Sequence, residues 1–358
     1  MADALFMTGA TGFLGKLLLK KYLPDEREIF LLVQEKFRPA MREFLDKQKQ
    51  EGLMRASVKM IDGDITMPGL GLTRDIAGEI SEKTSVAYHL AAAYRIDLPK
   101  DIGYLINVEG TRNTLDFVEK MPNLKRLGYF STTAIAGTHT GPYNETDFDV
   151  GQRHNNFYTK TKFEAEKLVR ERMDKIPTTI FRPTIIVGDS KTGEMEKVDG
   201  PYYAMVMISR KLHLVMQKSP DVPCNIEPAD FVIDAIHAIM NRGDSAGLTV
   251  HIADPNPPTY DEFFDMLFER WGTFRPLLRV PAKLMLPMFY IPGFSRLTGI
   301  PRVSYIYVMQ PLMFGTEVME RMLEGTGVSC PPVESYIDVM ISYFRKKFDR
   351  SSARWARW

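Results

Sequence analysis

Tyr158 and Lys162, in the stretch Tyr158-Thr-Lys-Thr-Lys162, put a phenol and an ammonium four residues apart. On a helix that spacing sets both on one face, a turn from each other. A phenol with a reference pKa of about 10 is a poor acid or base at neutral pH. A cation beside it favours the phenolate and draws the group toward the working range. Such a pair can pass a proton to or from an oxygen on carbon while a cofactor handles a hydride. The spacing alone also occurs on many solvated helices, so its weight depends on the groups that accompany it.

One companion is a hydroxyl. Gly128-Tyr-Phe-Ser-Thr-Thr133 reads as an apolar strand whose carboxyl end opens on the crevice where α/β sheets bind ligands. Its distance from Gly137 selects Thr132, with Ser131 and Thr133 as near alternatives. Thr132 would orient a substrate oxygen and Tyr158 would exchange the proton. Lys162 would lower the phenol's pKa and hold a nicotinamide ribose. We assign Tyr94, Thr133 and Ser190 to the substrate. His154 reads as a polar residue at a helix start, and Asn107 as structural.

The second companion is a nucleotide site. Thr8-Gly-Ala-Thr-Gly-Phe-Leu-Gly15 follows an apolar strand directly and opens a helix. Gly9, Gly12 and Gly15 let the backbone turn tightly and approach a pyrophosphate, and the helix start offers it free N–H groups. Thr8, Thr11, Phe13 and Leu14 belong to the same turn. The end of the second strand separates the two dinucleotides, because an acidic group there repels a 2′-phosphate. Here Gln34 is followed by Glu35, Lys36 and Arg38. Gln34 can bond either ribose and Lys36 or Arg38 can neutralise the phosphate, so NADP(H) is preferred, while Glu35 leaves NAD(H) compatible. Asp64 and Ile65 suit an adenine edge. Ala91 and Ala92, in Leu90-Ala-Ala-Ala93, permit close approach. Arg182, Pro183, Thr184 and Ile185 would lie by the carboxamide.

These groups need a scaffold. Apolar runs at Ala4–Thr8, Glu28–Val33, 58–61, 86–92, 127–131 and 179–187 alternate with helical patterns at Phe13–Tyr22, Arg38–Gln50, 102–121 and 157–173. Continuous apolar strands between helices predict a Rossmann-type α/β fold, a doubly wound parallel sheet covered on both faces. Residues 1–200 are expected to form the dinucleotide-binding domain, with elements from about 225–255 returning to it. Residues 201–358 would form a smaller, mostly helical, discontinuous substrate lobe. Helices are expected at 202–214, Ala229–Met240 and Tyr260–Trp271, and a strand at 248–252. From 274 to 311 prolines and apolar residues intermix and no regular structure is placed there; the lobe 274–314 suits a greasy channel, a membrane-facing patch or an ordinary small core.

At 358 residues with 44% hydrophobic and 25% charged residues, the composition is that of a globular enzyme. A net charge of +1 gives no excess that would point to nucleic acid. Cys224 and Cys330 are too few for a disulfide framework and have no second ligand beside them, so a reducing cytoplasm and no metal are expected. No secretory signal is read at Met1-Ala-Asp, and no run approaches the roughly 20 apolar residues that span a bilayer. The stretch 284–294 is short and broken by Pro287 and Pro292. The tail, with Arg345-Lys-Lys347, Arg350, Arg354, Trp355, Arg357 and Trp358, reads as a basic helix end; peripheral contact with anionic lipid at the inner membrane face is the alternative.

Taken together, the glycine turn, Thr132, the Tyr158–Lys162 stretch and Arg182-Pro183 resemble the extended short-chain dehydrogenase/reductase superfamily. Gly63-Asp-Ile-Thr-Met-Pro-Gly-Leu-Gly-Leu72, Asn107-Val-Glu-Gly-Thr-Arg112, Phe181-Arg-Pro-Thr-Ile-Ile-Val-Gly-Asp-Ser-Lys-Thr-Gly193 and Cys330-Pro-Pro-Val-Glu-Ser-Tyr336 are similar to its fatty acyl-CoA reductase and thioester reductase branch, the male-sterility type. The resemblance runs from about Leu5 to Tyr343. It implies NADPH-dependent reduction of an acyl thioester to an aldehyde, and with a second hydride to an alcohol, Thr132 and Tyr158 supporting the oxyanion. Two features depart from it. Gln34 stands where a basic residue often follows the second strand. No carrier or adenylation domain is read in these 358 residues, so the expected substrate is a free acyl-CoA or an acyl group on a separate acyl carrier protein. The same residues would also serve an alcohol/ketone dehydrogenase for steroid- or terpenoid-like substrates, or a nucleotide-sugar epimerase. A non-catalytic dinucleotide sensor would typically lack the Tyr–Lys pair. The chain is expected to be a monomer, or a homodimer through helices 102–121 and 157–173.

Overall fold

The computed structural model describes residues 3–95, 98–195, 198–294, 305 and 309–348. Thirteen strands are formed among them: β1 (Ala4–Thr8), β2 (Glu28–Val33), β3 (Ser57–Asp62), β4 (Thr84–His89), β5 (Arg126–Phe130), β6 (Gly141–Tyr143), β7 (Thr178–Pro183), β8 (Ile185–Val187), β9 (Val215–Lys218), β10 (Ile226–Pro228), β11 (Thr249–Ile252), β12 (Leu278–Pro281) and β13 (Leu312–Phe314). Seven make one parallel sheet in the order β11-β7-β5-β4-β1-β2-β3. The pairs β8–β10, β9–β12 and β6–β13 are separate ribbons.

Alternation along β1 shows why the sheet is covered twice. Leu5 and Met7 join a core shared with the Phe13–Tyr22 and Ala229–Met240 helices. Ala4 and Phe6 face the other way, into a core shared with the Gly110–Val118 and Phe157–Arg170 helices. Each buried Phe or Leu contributes on the order of 1.5–3 kcal/mol. A third core joins the Tyr202–Ser209, Tyr260–Trp271 and Ile337–Lys347 helices beyond the sheet's carboxyl edge. The chain runs outward from β1 to β3 and then restarts at β4 on β1's other side. That reversal leaves a crevice between the carboxyl ends of β1 and β4, where such sheets bind ligands.

Several elements differ from the sequence reading. The helix expected over 102–121 is three pieces, Lys100–Gly103, a π-helical Tyr104–Glu109 and Gly110–Val118. The π segment holds Asn107, which donates to the Ala93 carbonyl and Thr161 Oγ1, both at 3.0 Å, and accepts from Ala93 N at 2.7 Å. The strand expected over 179–187 divides at Thr184, because β8 leaves the sheet to pair with β10. The helix expected over 202–214 stops at Ser209, and Lys211 adopts a φ of 56° before β9. Periodicity missed the helix Arg74–Lys83. Within 274–314, β12, the helix Ala282–Met285, a 3-10 turn Leu286–Tyr290 and β13 are regular. Arg350, Arg354, Trp355, Arg357 and Trp358 lie outside the described residues. Among the described residues no helix is long and apolar enough to cross a membrane.

Candidate active site

A single cleft of about 1760 Å3 runs from the glycine turn across the carboxyl ends of β1, β4, β5 and β7 into the outer lobe. Every candidate named above lines it except Arg38, Arg182 and Ser190.

The glycine turn divides its labour. Gly9 has φ +77°, and a Cβ there would lie 2.5 Å from Ala91 N, so the turn packs directly on the end of β4. A Cβ on Gly15 would lie 2.1 Å from the Gly9 carbonyl oxygen, which ties the helix to the turn. At Gly12 the nearest atom would be 3.6 Å away. The protein leaves room there, so this glycine keeps space for a ligand rather than for the chain. Gly12 also precedes the Phe13–Tyr22 helix, whose first turn carries no side-chain cap and no acidic residue. Its N–H groups and partial positive charge suit a pyrophosphate. Below the turn, Thr8 Oγ1 lies 2.7 Å from His89 Nδ1, and His89 Nε2 lies 3.0 Å from Thr111 Oγ1. Burial, and then the Lys162 cation, push the His89 pKa down to about 3, so the ring is neutral. The sequence reading missed this chain; a histidine ending an apolar strand was its only signal.

At the far end of the turn, Gln34 Nε2 donates to Asp64 Oδ2 at 2.7 Å. The other Asp64 oxygen accepts from Thr66 N and Oγ1, both at 2.9 Å. Lys36 faces the cleft with its ammonium 4.9 Å from the Phe37 ring centre. Arg38 does not reach the cleft, which corrects the sequence reading. Its guanidinium donates to Asp62 at 2.6 Å and to the Met60 carbonyl at 3.4 Å, beside a separate surface depression lined by Glu35, Pro39 and Arg42.

Three hydroxyls follow β5, and their hydrogen bonds distinguish them. Ser131 donates to buried Glu166, and Thr133 to the Pro183 carbonyl at 3.3 Å. Thr132 Oγ1 accepts from Ala134 N at 3.2 Å, which leaves its own proton for the cleft. Asn156 caps the Phe157–Arg170 helix through Thr159 N at 2.9 Å, and so fixes the start of the helix that carries Tyr158 and Lys162. Both residues line the cleft. Lys162 is buried; it donates to the Phe130 carbonyl at 2.6 Å and lies 3.5 Å from the Tyr129 hydroxyl. Burial lowers its pKa to about 8, with the Glu166 carboxylate pulling the other way.

Glu166, one turn past Lys162, anchors that helix. It is fully buried against fully buried Arg182, with Oε1 2.6 Å from Nη2. Burial alone would raise the Glu166 carboxyl; Arg182, Arg170 and the Ser131 hydroxyl hold it below the ordinary carboxylate value. Arg182 also donates to the Asp147 carbonyl at 2.8 Å and reaches His251 Nε2 at 3.2 Å. The expectation that Arg182 meets a carboxamide is therefore corrected: it lies behind the cleft wall. Its neighbours Pro183, Thr184 and Ile185 face the cleft, and Thr184 Oγ1 is a buried hydroxyl with no hydrogen-bond partner among the described residues. Ser190 is likewise corrected, since its N and Oγ bind Asp230 at 2.8 and 2.6 Å. His154 packs its ring on Phe163 and lies outside the cleft.

Beyond Thr132 and Tyr158 the cleft turns apolar. Met195, Met207, Met216, Phe264, Met285 and Phe289 line this end. Among them stand the buried carboxamides of Gln217 and Asn225, neither with a described hydrogen bond from its side chain. The uncapped helix start, the open space at Gly12 and the unbonded Thr184 hydroxyl all fit a nicotinamide dinucleotide laid along the sheet edge.

Residues 7–236 match the protein family described as Male sterility protein, an NAD-binding family. Fatty acyl-CoA reductase wat of Drosophila melanogaster is 29% identical over 273 residues, covering 65% of this chain and 53% of that protein. Nonribosomal peptide synthetase asaC of Aspergillus flavus is 29% identical over 276 residues, covering 70% of this chain and 26% of that protein. The chain thus spans about half the length of the first relative and about a quarter of the second. Among solved structures, the terminal R domain from the myxalamid PKS-NRPS biosynthetic pathway superposes with a TM-score of 0.81 at 26% identity, covering 97% of this chain and 91% of that one.

Proposed function

The chain belongs to the Male sterility protein family of NAD-binding proteins, and from that premise we propose that it is an NADPH-dependent reductase of acyl thioesters. The observation that carries the proposal is the continuity of one cleft: nucleotide-suited at the glycine turn, lined by Thr132, Tyr158 and Lys162 at its middle, and apolar beyond. A relative named as a fatty acyl-CoA reductase and a structure titled as a terminal R domain support the same chemistry.

A nicotinamide held in the cleft would supply the hydride. Thr132 donates to the thioester oxygen and holds the carbonyl carbon toward the nucleotide side of the cleft. As that carbon gains the hydride, negative charge grows on its oxygen, where the Thr132 and Tyr158 hydroxyls stabilise it. Tyr158 then gives the oxygen its proton. On collapse of this hemithioacetal the oxygen returns the proton to the Tyr158 phenolate and the carbonyl re-forms as the C–S bond breaks. The departing thiolate takes a proton from solvent, leaving an aldehyde and a free thiol. Lys162, fixed by the Phe130 carbonyl, would set a positive charge toward the phenol and donate to the ribose. Thr184 would bond the carboxamide, Lys36 would meet a 2′-phosphate, and neutral Gln34 would not repel it.

The carboxamides of Gln217 and Asn225 each offer a donor and an acceptor, the complement of the secondary amides in a pantetheine arm. A free acyl-CoA or an acyl group on a separate carrier protein would both present that arm.

The test is NADPH oxidation with medium- and long-chain acyl-CoAs, sterols and UDP-sugars as alternative substrates, with the product identified. Aldehyde or alcohol formed only from thioesters supports the proposal. Turnover confined to a sterol or a UDP-sugar would replace it with an alcohol/ketone dehydrogenase or an epimerase.

A further inference from the structure

The cleft's apolar end shares a wall with an unusual outer surface. β9 and β12 pair in parallel from Val215–Leu278 to Lys218–Pro281, and Leu277 N donates to the Leu214 carbonyl at 2.9 Å. The short helix Ala282–Met285 follows and packs on β9. Of the eighteen large hydrophobic side chains exposed among the described residues, eight lie on this ribbon and the chain beside it: Leu214, Val215, Phe274, Leu277, Leu278, Leu284, Tyr290 and Ile291. Leu277 is 83% exposed and Leu284 69%, far beyond what scattered surface residues require.

Charge on the same stretches is one-sided. Residues 210–218 and 274–294 contain Arg210, Lys211, Lys218, Arg275, Arg279 and Lys283, and no Asp or Glu. Arg279 pairs with Asp265 of the neighbouring helix. Lys211, Lys218, Arg275 and Lys283 are exposed beside the leucines.

We infer that this ribbon and the helix beside it form a docking surface for an anionic lipid bilayer. Protruding aliphatic side chains enter the headgroup boundary, while the lysines and arginines around them meet lipid phosphates. A purely acidic protein partner would answer the cations but leave the leucines unaccounted for. The segment also faces two ways. Met285 and Phe289 line the cleft, whereas Leu284 and Tyr290, each adjacent in sequence, face outward. Docking here would set the cleft's apolar end against the membrane, so that an acyl chain passes between them without crossing water. The inference concerns where the protein sits and is independent of the reaction proposed above.

Flotation of the full chain with vesicles of phosphatidylcholine alone, or mixed with phosphatidylglycerol, tests it. The chain should partition onto the mixed vesicles, less so as salt rises, and onto neutral vesicles weakly. The double variant Leu277→Asp/Leu284→Asp should lose at least about tenfold in partitioning, with its melting temperature and NADPH affinity kept. Should that variant fold poorly, Lys211→Glu/Lys283→Glu should show the same loss. Absence of wild-type binding to mixed vesicles overturns the inference, as does equal binding by the variants, which would place the contact elsewhere. Binding to an acidic carrier protein but not to vesicles, lost in the same variants, would assign the surface to that partner instead.

Discussion

Proton transfer rests on single atoms, and the three hydroxyls after β5 make the sharpest case. Among the described residues, Thr132 alone of the three has its proton uncommitted, since Ser131 and Thr133 donate to Glu166 and to the Pro183 carbonyl. Thr132→Val should lower kcat by about 10²–10³, whereas Thr133→Val should act mainly through stability. Tyr158→Phe should lower kcat by about 10²–10⁴ while NADPH still binds, and Lys162→Met should weaken both turnover and binding. Steady-state kinetics with fluorescence titration of NADPH separates these outcomes; a Tyr158→Phe enzyme at wild-type rate removes the phenol from its role. For cofactor choice, Lys36→Ala should raise the KM for NADPH by about tenfold and leave NADH unchanged, worth about 1.4 kcal/mol. Arg38→Ala should change neither, because Asp62 already engages its guanidinium. Sequence could name both cations but not tell them apart. The two lie two residues apart, and only the turn Glu35–Phe37 decides which faces the nucleotide side.

Elements hold these atoms in register. The glycine turn predicts a contrast that a spacing motif cannot. Gly12→Ala should leave stability within about 0.5 kcal/mol, since its Cβ meets nothing closer than 3.6 Å, yet weaken NADPH binding. Gly15→Ala should lower the melting temperature sharply, because its Cβ would collide with the Gly9 carbonyl. Thermal melts with and without NADPH read both effects. The Phe157–Arg170 helix is anchored by Glu166 and Arg182, and removing one partner strands a buried charge. Arg182→Met should therefore cost about 3–5 kcal/mol of stability. The sequence reading did not name Glu166, although it stands four residues beyond Lys162 on the same face. Its partner was assigned to the cofactor instead, because an Arg-Pro after a strand says nothing about which side of the sheet the guanidinium takes. Apolar strands announced themselves by composition. The π-helical turn around Asn107 and the departure of β8 from the sheet did not, since both follow from contacts with residues distant in sequence.

Across the whole molecule, burial of neutral histidines sets an acid limit. His89 and His251 are both pushed down to about 3, by burial first and then by Lys162 and Arg182 respectively. Unfolded, each would titrate near 6.5. The unfolded chain therefore binds more protons between those values, and stability falls as pH drops from about 6.5 toward 3, by up to about 1.4 kcal/mol per pH unit for each group. A His251→Gln variant should show a slope shallower by one proton in denaturant melts across that window. The lobe beyond the sheet was the least legible part, because prolines and methionines carry no clear period. Its consequence is nonetheless large: it extends the nucleotide crevice into an apolar chamber. The most direct measurement uses NADPH deuterated at its transferable position, a long-chain acyl-CoA and mass analysis of the product. The account predicts an aldehyde carrying one deuterium at its carbonyl carbon, formed by the wild type and suppressed in Tyr158→Phe. Bound NADPH that reduces no acyl thioester, or an aldehyde without the label, would contradict it.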